Sequence, residues 1–291
     1  MSEAAVLQRG GAPPAEWARW RTGAASLLAY GVLIALTVAS VYPLVLMGID
    51  SLKGDSQVAV NSAGLPHPWT IASYRSLISH GALRSFGNSL LVAGLTTLGA
   101  VFISGLAGYS FGKLRFPGRT LIFACLLGTI MVPIQTALPG FYAEFARFHW
   151  IDTYQIQIVP FLAPVFGVFI VRQYLYSVPD EFIEAARLDG ASEWRIYWRV
   201  IVPVLRPILA ALAVLEFLAM WNNYLWPQVM ASTQNVAPLA VTLPTYTNSV
   251  IGIIPLYGTI MAGNILATVP LVLIFIKYQD LFMRGVAYNA E

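Results

Sequence analysis

Glu184-Ala-Ala-Arg-Leu-Asp-Gly190-Ala191, followed by Val200-Ile-Val-Pro203 and Pro207, interrupts a chain that is otherwise strongly apolar. From Pro179 to Arg206 the sequence crowds together Asp180, Glu181, Glu184, Arg187, Asp189, Glu193, Arg195, Arg199 and Arg206. Pro179 suits a first helical turn, where its missing N–H costs nothing. Asp180 and Glu181 then fall at the positive end of the helix dipole. Ala185 and Ala186 favour helix and add no bulk. Gly190 supplies the permissive backbone of a sharp stop, and Ser192 can cap a second helix that Pro203 ends or kinks. The stretch therefore predicts a short helix, a tight turn and a second short helix. Two readings fit these residues. The pair can lie on lipid headgroups, with Trp194, Tyr197 and Trp198 as interfacial anchors, or it can offer its surface to a partner.

The flanks say what solvent surrounds this loop. Of 291 residues 57% are hydrophobic and 11% charged, against roughly a quarter charged in soluble domains. Windows of about 20 apolar residues, enough to cross a bilayer core, predict six spans at about 24–49, 86–112, 120–143, 154–176, 207–230 and 256–279. They form one membrane domain over 24–283, with tails at 1–23 and 284–291 and the charged loop at 179–206. The polar, turn-rich segment holding Ser232, Gln234, Asn235, Pro238 and Pro244 reads as a loop between the last two spans. Thirteen of the 17 basic residues fall in or beside the two tails, the second inter-span loop and the charged loop, with Arg172 and Lys277 at the adjoining span ends. The excess of Lys and Arg marks that side as cytoplasmic, with both termini.

Much chemistry is excluded. Gly112-Lys113 is followed by Leu114, so there is no phosphate-binding Walker loop. His67, His80 and His149 are scattered over predicted outer loops without metal-ligand spacing, so no metal site is predicted. Cys125 is the single cysteine, and no intrachain disulfide can form. A net charge of +3 gives no footprint for nucleic acid. An intramembrane enzyme would need a cluster of ionisable residues, and a secondary carrier commonly shows repeated halves; neither is seen. In the second span Ser104, Gly108 and Gly112 recur every four residues, with Gly105 beside them. That spacing lets helix backbones approach closely, either within the subunit or across a subunit interface.

Glu216 lies near the middle of the fifth span. Its central charge costs about 2.5–3.5 kcal/mol on the insertion scale. The eight Leu, Ile, Val and Phe side chains from Ile208 to Leu225 return roughly 2.4–4.8 kcal/mol. The balance is near zero, so the helix needs neighbours or an aqueous cavity for this carboxyl. Glu216 is a candidate to line a polar path across the membrane, or to make a structural hydrogen bond. Asn222, Asn223, Tyr224 and Gln135 are weaker candidates for the same path.

Glu184-Ala-Ala, three residues, Gly190, nine residues, then Val200-x-Val-Pro203 resembles the EAA loop of ATP-binding-cassette importer permeases. Phe86-Gly-Asn88-Ser89-Leu90, Phe116-Pro-Gly118-Arg119, Met131-x-Pro133-x-Gln135, Trp221-Asn222-Asn223-Tyr224-Leu225-Trp226-Pro227 and Gln279-Asp-Leu-Phe-Met-Arg284-Gly285 resemble further segments of the carbohydrate-uptake branch. The maltose-type second permease subunit is the nearest likeness. The tail departs from the family's usual ending, so no tail contact to an ATPase is carried over, and Asn223 stands where the family usually has an acid.

The resemblance implies an all-α polytopic protein of the bacterial inner membrane, with six spans and a cytoplasmic EAA-type coupling helix–turn–helix. Glu184, Ala185, Ala186, Asp189, Gly190, Ala191 and Pro203 would form the ATPase-coupling element. It also implies a second permease subunit, two copies of a cytoplasmic ATPase holding ATP and Mg, and an extracytoplasmic solute-binding protein delivering sugar. This chain itself would bind no cofactor. Glycerol phosphate or another polyol is the alternative cargo, and a stand-alone secondary transporter the alternative class.

Overall fold

The computed structural model describes residues 16–61, 64–248 and 255–287, with side chains described from Ala25 to Gln279. Of the predicted tails at 1–23 and 284–291, residues 1–15 and 288–291 lie outside the described residues. In chain order the elements are α1 (Glu16–Asp50), α2 (Asp55–Val60), α3 (Ala72–Ser79), α4 (Ala82–Lys113), α5 (Arg119–Ile130), α6 (Ile134–Arg147) and α7 (Tyr154–Ile158). There follow α8 (Val165–Tyr176), α9 (Glu181–Leu188), α10 (Glu193–Ile196), a π-turn (Tyr197–Ile201), α11 (Val202–Trp221), α12 (Leu225–Met230), α13 (Leu239–Thr245) and α14 (Tyr257–Ala287). Among the described residues there is no strand. Five helical segments are long and apolar enough to cross a membrane, or six if the bent pair α5–α6 is one span.

Helix α4 is the axis, and its sequence shows why. Ser85, Ser89, Ala93, Thr97, Ser104 and Gly108 are buried on it, so small side chains line its inward faces for most of its length. In lipid, where neighbouring tails are as apolar as leucine, close backbone approach and polar contacts hold helices together. Helices α8, α11 and α13 all pack on α4. A Cβ on Gly108 would stand 2.5 Å from Val171 Cγ1 and 3.2 Å from the Arg172 backbone nitrogen. One on Gly112 would stand 3.3 Å from Leu175 Cβ, and one on Gly105 2.6 Å from the Tyr197 hydroxyl. The small-residue stripe therefore seats α8 and the start of the α10–α11 rod within this subunit.

Four expectations change. The third span is broken. Helices α5 and α6 meet at 98°, with Met131-Val-Pro133 between them, and Pro133 takes an extended ψ of 125° as the cap of α6. The fourth span keeps its expected bounds, Tyr154–Tyr176, but is interrupted between α7 and α8 by a 3₁₀ turn, Val159–Phe161, and by Pro164. The fifth span does not begin at Pro207, nor does the second loop helix end at Pro203. Glu193–Trp221 forms one rod, and a π-turn just before Pro203 interrupts the α-ladder where the proline would otherwise remove a bond. That rod stops at Trp221 rather than Met230. Finally, the segment read as a loop is one only as far as Pro238, and Leu239–Thr245 then folds as α13. It is pinned to α4 by Ser85 Oγ to Thr242 Oγ1 (2.8 Å), Asn88 Nδ2 to the Ala237 carbonyl (3.0 Å) and the Leu239 N–H to Ser89 Oγ (2.8 Å). It is thus held by partners about 150 positions away, invisible to a local reading.

Helix α1 stands apart. Its apolar side chains from Leu27 to Val45 are exposed, and it packs on α14. Its last turn is anchored by the buried Lys53, whose Nζ donates to Asp50 Oδ1 at 2.6 Å and to the Asn61 carbonyl at 3.1 Å.

Candidate functional site

The charged loop folds as a helix, a glycine stop and the start of a rod. Asp180 is the residue preceding α9, and Pro179 lies just outside the helix rather than in its first turn. The Asp180 carboxylate accepts from Lys113 Nζ at the end of α4, which also donates to the Val178 carbonyl at 2.6 Å. The lysine's hydrogen bond and charge hold the Asp180 carboxyl below the usual range. On the inner side of α9, Ile183 is buried among Leu175, Val178 and Ile196, with Ala186 and Ala191 packed against them. On the outer side Glu184, Ala185 and Asp189 are exposed. So are two large apolar side chains, Phe182 and Leu188, at 59% and 89% of full exposure.

Gly190 ends the helix with φ +76°. Its N–H reaches the Arg187 carbonyl and the Ala191 N–H reaches the Ala186 carbonyl, both at 3.0 Å. This is a Schellman stop, which needs a left-handed residue at that one position. Ser192 Oγ then accepts from the Arg195 N–H at 3.4 Å to cap the next helix. Pro203, grouped with the loop on sequence, lies inside the rod instead.

One connection was not legible. Glu193 accepts from Arg187 Nε on α9 at 2.8 Å and from the buried Tyr109 hydroxyl on α4 at 2.6 Å. Three elements therefore meet on a single carboxylate at the root of the rod. Charge-assisted bonds of this length are the strong ones. Beside it a cleft of about 530 Å³ opens between Lys113–Phe116 and α9, with both signs of charge on its walls: Arg115, Asp180, Glu184 and Arg187.

The pathway candidates are spread out. Glu216 is half-buried in α11, and among the described residues it makes no hydrogen bond. Asn222 caps that helix, its Nδ2 donating to the Leu218 carbonyl at 2.8 Å. Asn223 faces a narrow crevice with Gln157 and Trp226, and Tyr224 precedes α12. Gln135 lies exposed in the first turn of α6. The three residues at the α11–α12 junction are thus brought together, with Glu216 two turns away and Gln135 on a separate element.

Residues 100–288 match the family described as binding-protein-dependent transport system inner membrane component. The chain belongs to that family. The arabinooligosaccharides transport system permease protein AraQ of Bacillus subtilis is 29% identical over 259 residues, covering 86% of this chain and 90% of its own. The lactose transport system permease protein LacG of Rhizobium radiobacter is 30% identical, covering 89% and 94%. The sn-glycerol-3-phosphate transport system permease protein UgpE of Yersinia pestis is 31% identical, covering 89% and 93%. In fold the chain resembles a bacterial ABC transporter involved in import of the acidic polysaccharide alginate, with a TM-score of 0.76, 21% identity, and 88% and 95% of the two chains covered. The same kind of importer in complex with an alginate pentasaccharide-bound periplasmic protein aligns with a TM-score of 0.59. The protein is accordingly a multi-pass permease subunit of an ABC importer.

Proposed function

We propose that this permease imports a sugar delivered by an extracytoplasmic solute-binding protein, pairing with a second permease and coupling through α9 to two cytoplasmic ATPases that hold ATP and Mg. The carrying observation is the exposed face of α9. Glu184, Ala185, Asp189, Phe182 and Leu188 project from a helix whose other face is locked into the bundle. A lone amphipathic helix on lipid has no need of the Glu193 junction, whereas a lever does. Both termini and α9 lie on the cytoplasmic side in this reading, following the distribution of Lys and Arg. Purification in mild detergent should bring down a second permease and an ATPase with this chain. Transport by this chain alone in liposomes would refute the reading.

Glu216 is a pathway residue in the same proposal. An ionisable side chain at membrane depth normally faces an interior or a water-filled cavity. Glu216→Leu should lower ATP-dependent uptake by about tenfold, the worth of one hydrogen bond to solute or pathway water. Glu216→Gln, which keeps a polar group, should retain more. Normal uptake by both variants would remove the role.

A further inference from the structure

In the half of the bundle away from α9 lies a cavity of about 450 Å³, bounded by α4, the end of α11, α13 and α14. Its volume falls within the roughly 300–1,000 Å³ of small-molecule sites. Trp221 forms part of its wall and is held rigidly. Its indole N–H donates to the Ala267 carbonyl at 3.2 Å, Phe217 stacks on it at 5.6 Å, and Phe86 meets it edge-on at 5.7 Å. Asn222 has committed its Nδ2 to Leu218, which leaves Oδ1 to accept. The Asn264 side-chain amide makes no hydrogen bond among the described residues. Ser89 Oγ accepts from the Leu239 N–H and keeps its proton to give, while Thr247 Oγ1 donates at 2.6 Å to the Pro244 carbonyl and keeps its lone pairs. The remaining wall is aliphatic.

Among the described residues no charged side chain lines this cavity. Arg84, five positions before Ser89 on α4, does not reach it, and the one ionisable group deep in α11, Glu216, is an acid. A phosphate or carboxylate here would be an uncompensated charge at membrane depth, which costs several kcal/mol. Mixed donors and acceptors beside a fixed aromatic suit hydroxyl groups on an otherwise apolar ring. We propose that the cavity is a subsite for a neutral polyhydroxylated solute, a sugar bearing neither phosphate nor carboxylate, contacted by Asn222, Asn264 and Trp221. This rests on the importer reading and narrows it, because the relatives include carriers named for glycerol 3-phosphate as well as for neutral sugars.

The test uses the complete transporter in proteoliposomes, with both permeases, the ATPase and the solute-binding protein. Radiolabelled lactose, maltose and arabinobiose are offered as neutral probes, with sn-glycerol 3-phosphate and a uronate disaccharide as anionic ones. The expected result is accumulation of a neutral probe. Asn264→Leu should cut uptake per ATP hydrolysed about tenfold while ATP hydrolysis is still stimulated, and Asn264→Gln should recover part of the loss. A purely structural role would lower hydrolysis and uptake together. Accumulation of an anionic probe overturns the proposal, as does unchanged uptake per ATP in both Asn264→Leu and Asn222→Leu. If Asn264→Leu fails to assemble, saturation-transfer NMR on the wild-type complex decides: transfer to the neutral sugar's protons supports the site and its absence overturns it. If the assembled complex moves none of the probes and its ATPase is not stimulated, the importer reading itself fails and this proposal falls with it.

Discussion

Gly108→Ala is expected to be among the most destructive single methyls that can be added to this chain. The new Cβ would stand 2.5 Å from Val171 Cγ1, 2.6 Å from Val171 Cβ and 3.2 Å from the backbone nitrogen of Arg172. Val171 is fully buried and branched at Cβ, so it has no flexible end to move aside. The two helices must therefore part. Separating them also disturbs the cluster of Tyr109, Leu175, Ile183, Ile196 and Tyr197, which joins the bundle to α9. Overpacking of this kind costs about 1–3 kcal/mol when neighbours can relax, and more when backbone must shift. We expect about 3 kcal/mol or more, seen as loss of the monodisperse peak in detergent and a fall in Tm of several degrees. The matched control is Gly94→Ala on the same helix, where a Cβ meets nothing within 4 Å. Val171→Gly should restore part of the loss in the double variant, because both closest atoms belong to that side chain. Equal Tm values for Gly94→Ala and Gly108→Ala would show that α4 and α8 are not in close contact.

That contact was half legible in the sequence. The four-residue repeat of Ser104, Gly108 and Gly112 announced a close helix pair, since only small residues allow it. It did not say which helix, because the partner Val171 lies some 60 positions on and carries no complementary mark. The same division runs through the fold. Apolar windows report length and composition, so the spans were found, but straightness depends on local backbone geometry. Pro133 turns the chain by 98° between α5 and α6, whereas Pro203 is absorbed by a π-turn in a continuous rod. Two prolines in similar contexts thus act oppositely, and the deciding factor is the hydrogen-bond ladder around each. In the loop, Gly190 was readable because a left-handed stop is a local property. The Tyr109–Glu193–Arg187 junction was not, since Tyr109 lies 84 residues from its partner. Asn264 was hidden for a related reason. One amide in a long apolar run is ordinary until α4, α11 and α13 close a cavity around it.

Gly190→Val is expected to leave insertion and assembly intact while disconnecting ATP hydrolysis from uptake. A Cβ at Gly190 meets nothing within 4 Å, so the effect cannot be a clash. It acts through the backbone. At φ +76° an L-residue pays about 1–2 kcal/mol, and a β-branched one more. Relaxing that strain breaks the 3.0 Å bonds from Gly190 and Ala191 to the end of α9 and swings the helix relative to the rod. The Arg187–Glu193 bond across the stop is then lost, leaving Glu193 attached to α4 through Tyr109 alone. With α9 docked on the ATPase as proposed, a push from nucleotide-driven closure would bend the loop instead of moving the rod. The measurement is uptake per ATP hydrolysed in the reconstituted complex, expected to fall at least about tenfold, the equivalent of the 1.4 kcal/mol of lost geometry. Gly190→Asn should retain most of the coupling, because asparagine tolerates the left-handed region. Glu193→Gln weakens the same junction from its other side, so combining it with Gly190→Val should add little to either alone. If Gly190→Val couples normally, or if Asn and Val at this position behave alike, the loop's backbone geometry is not what transmits the force.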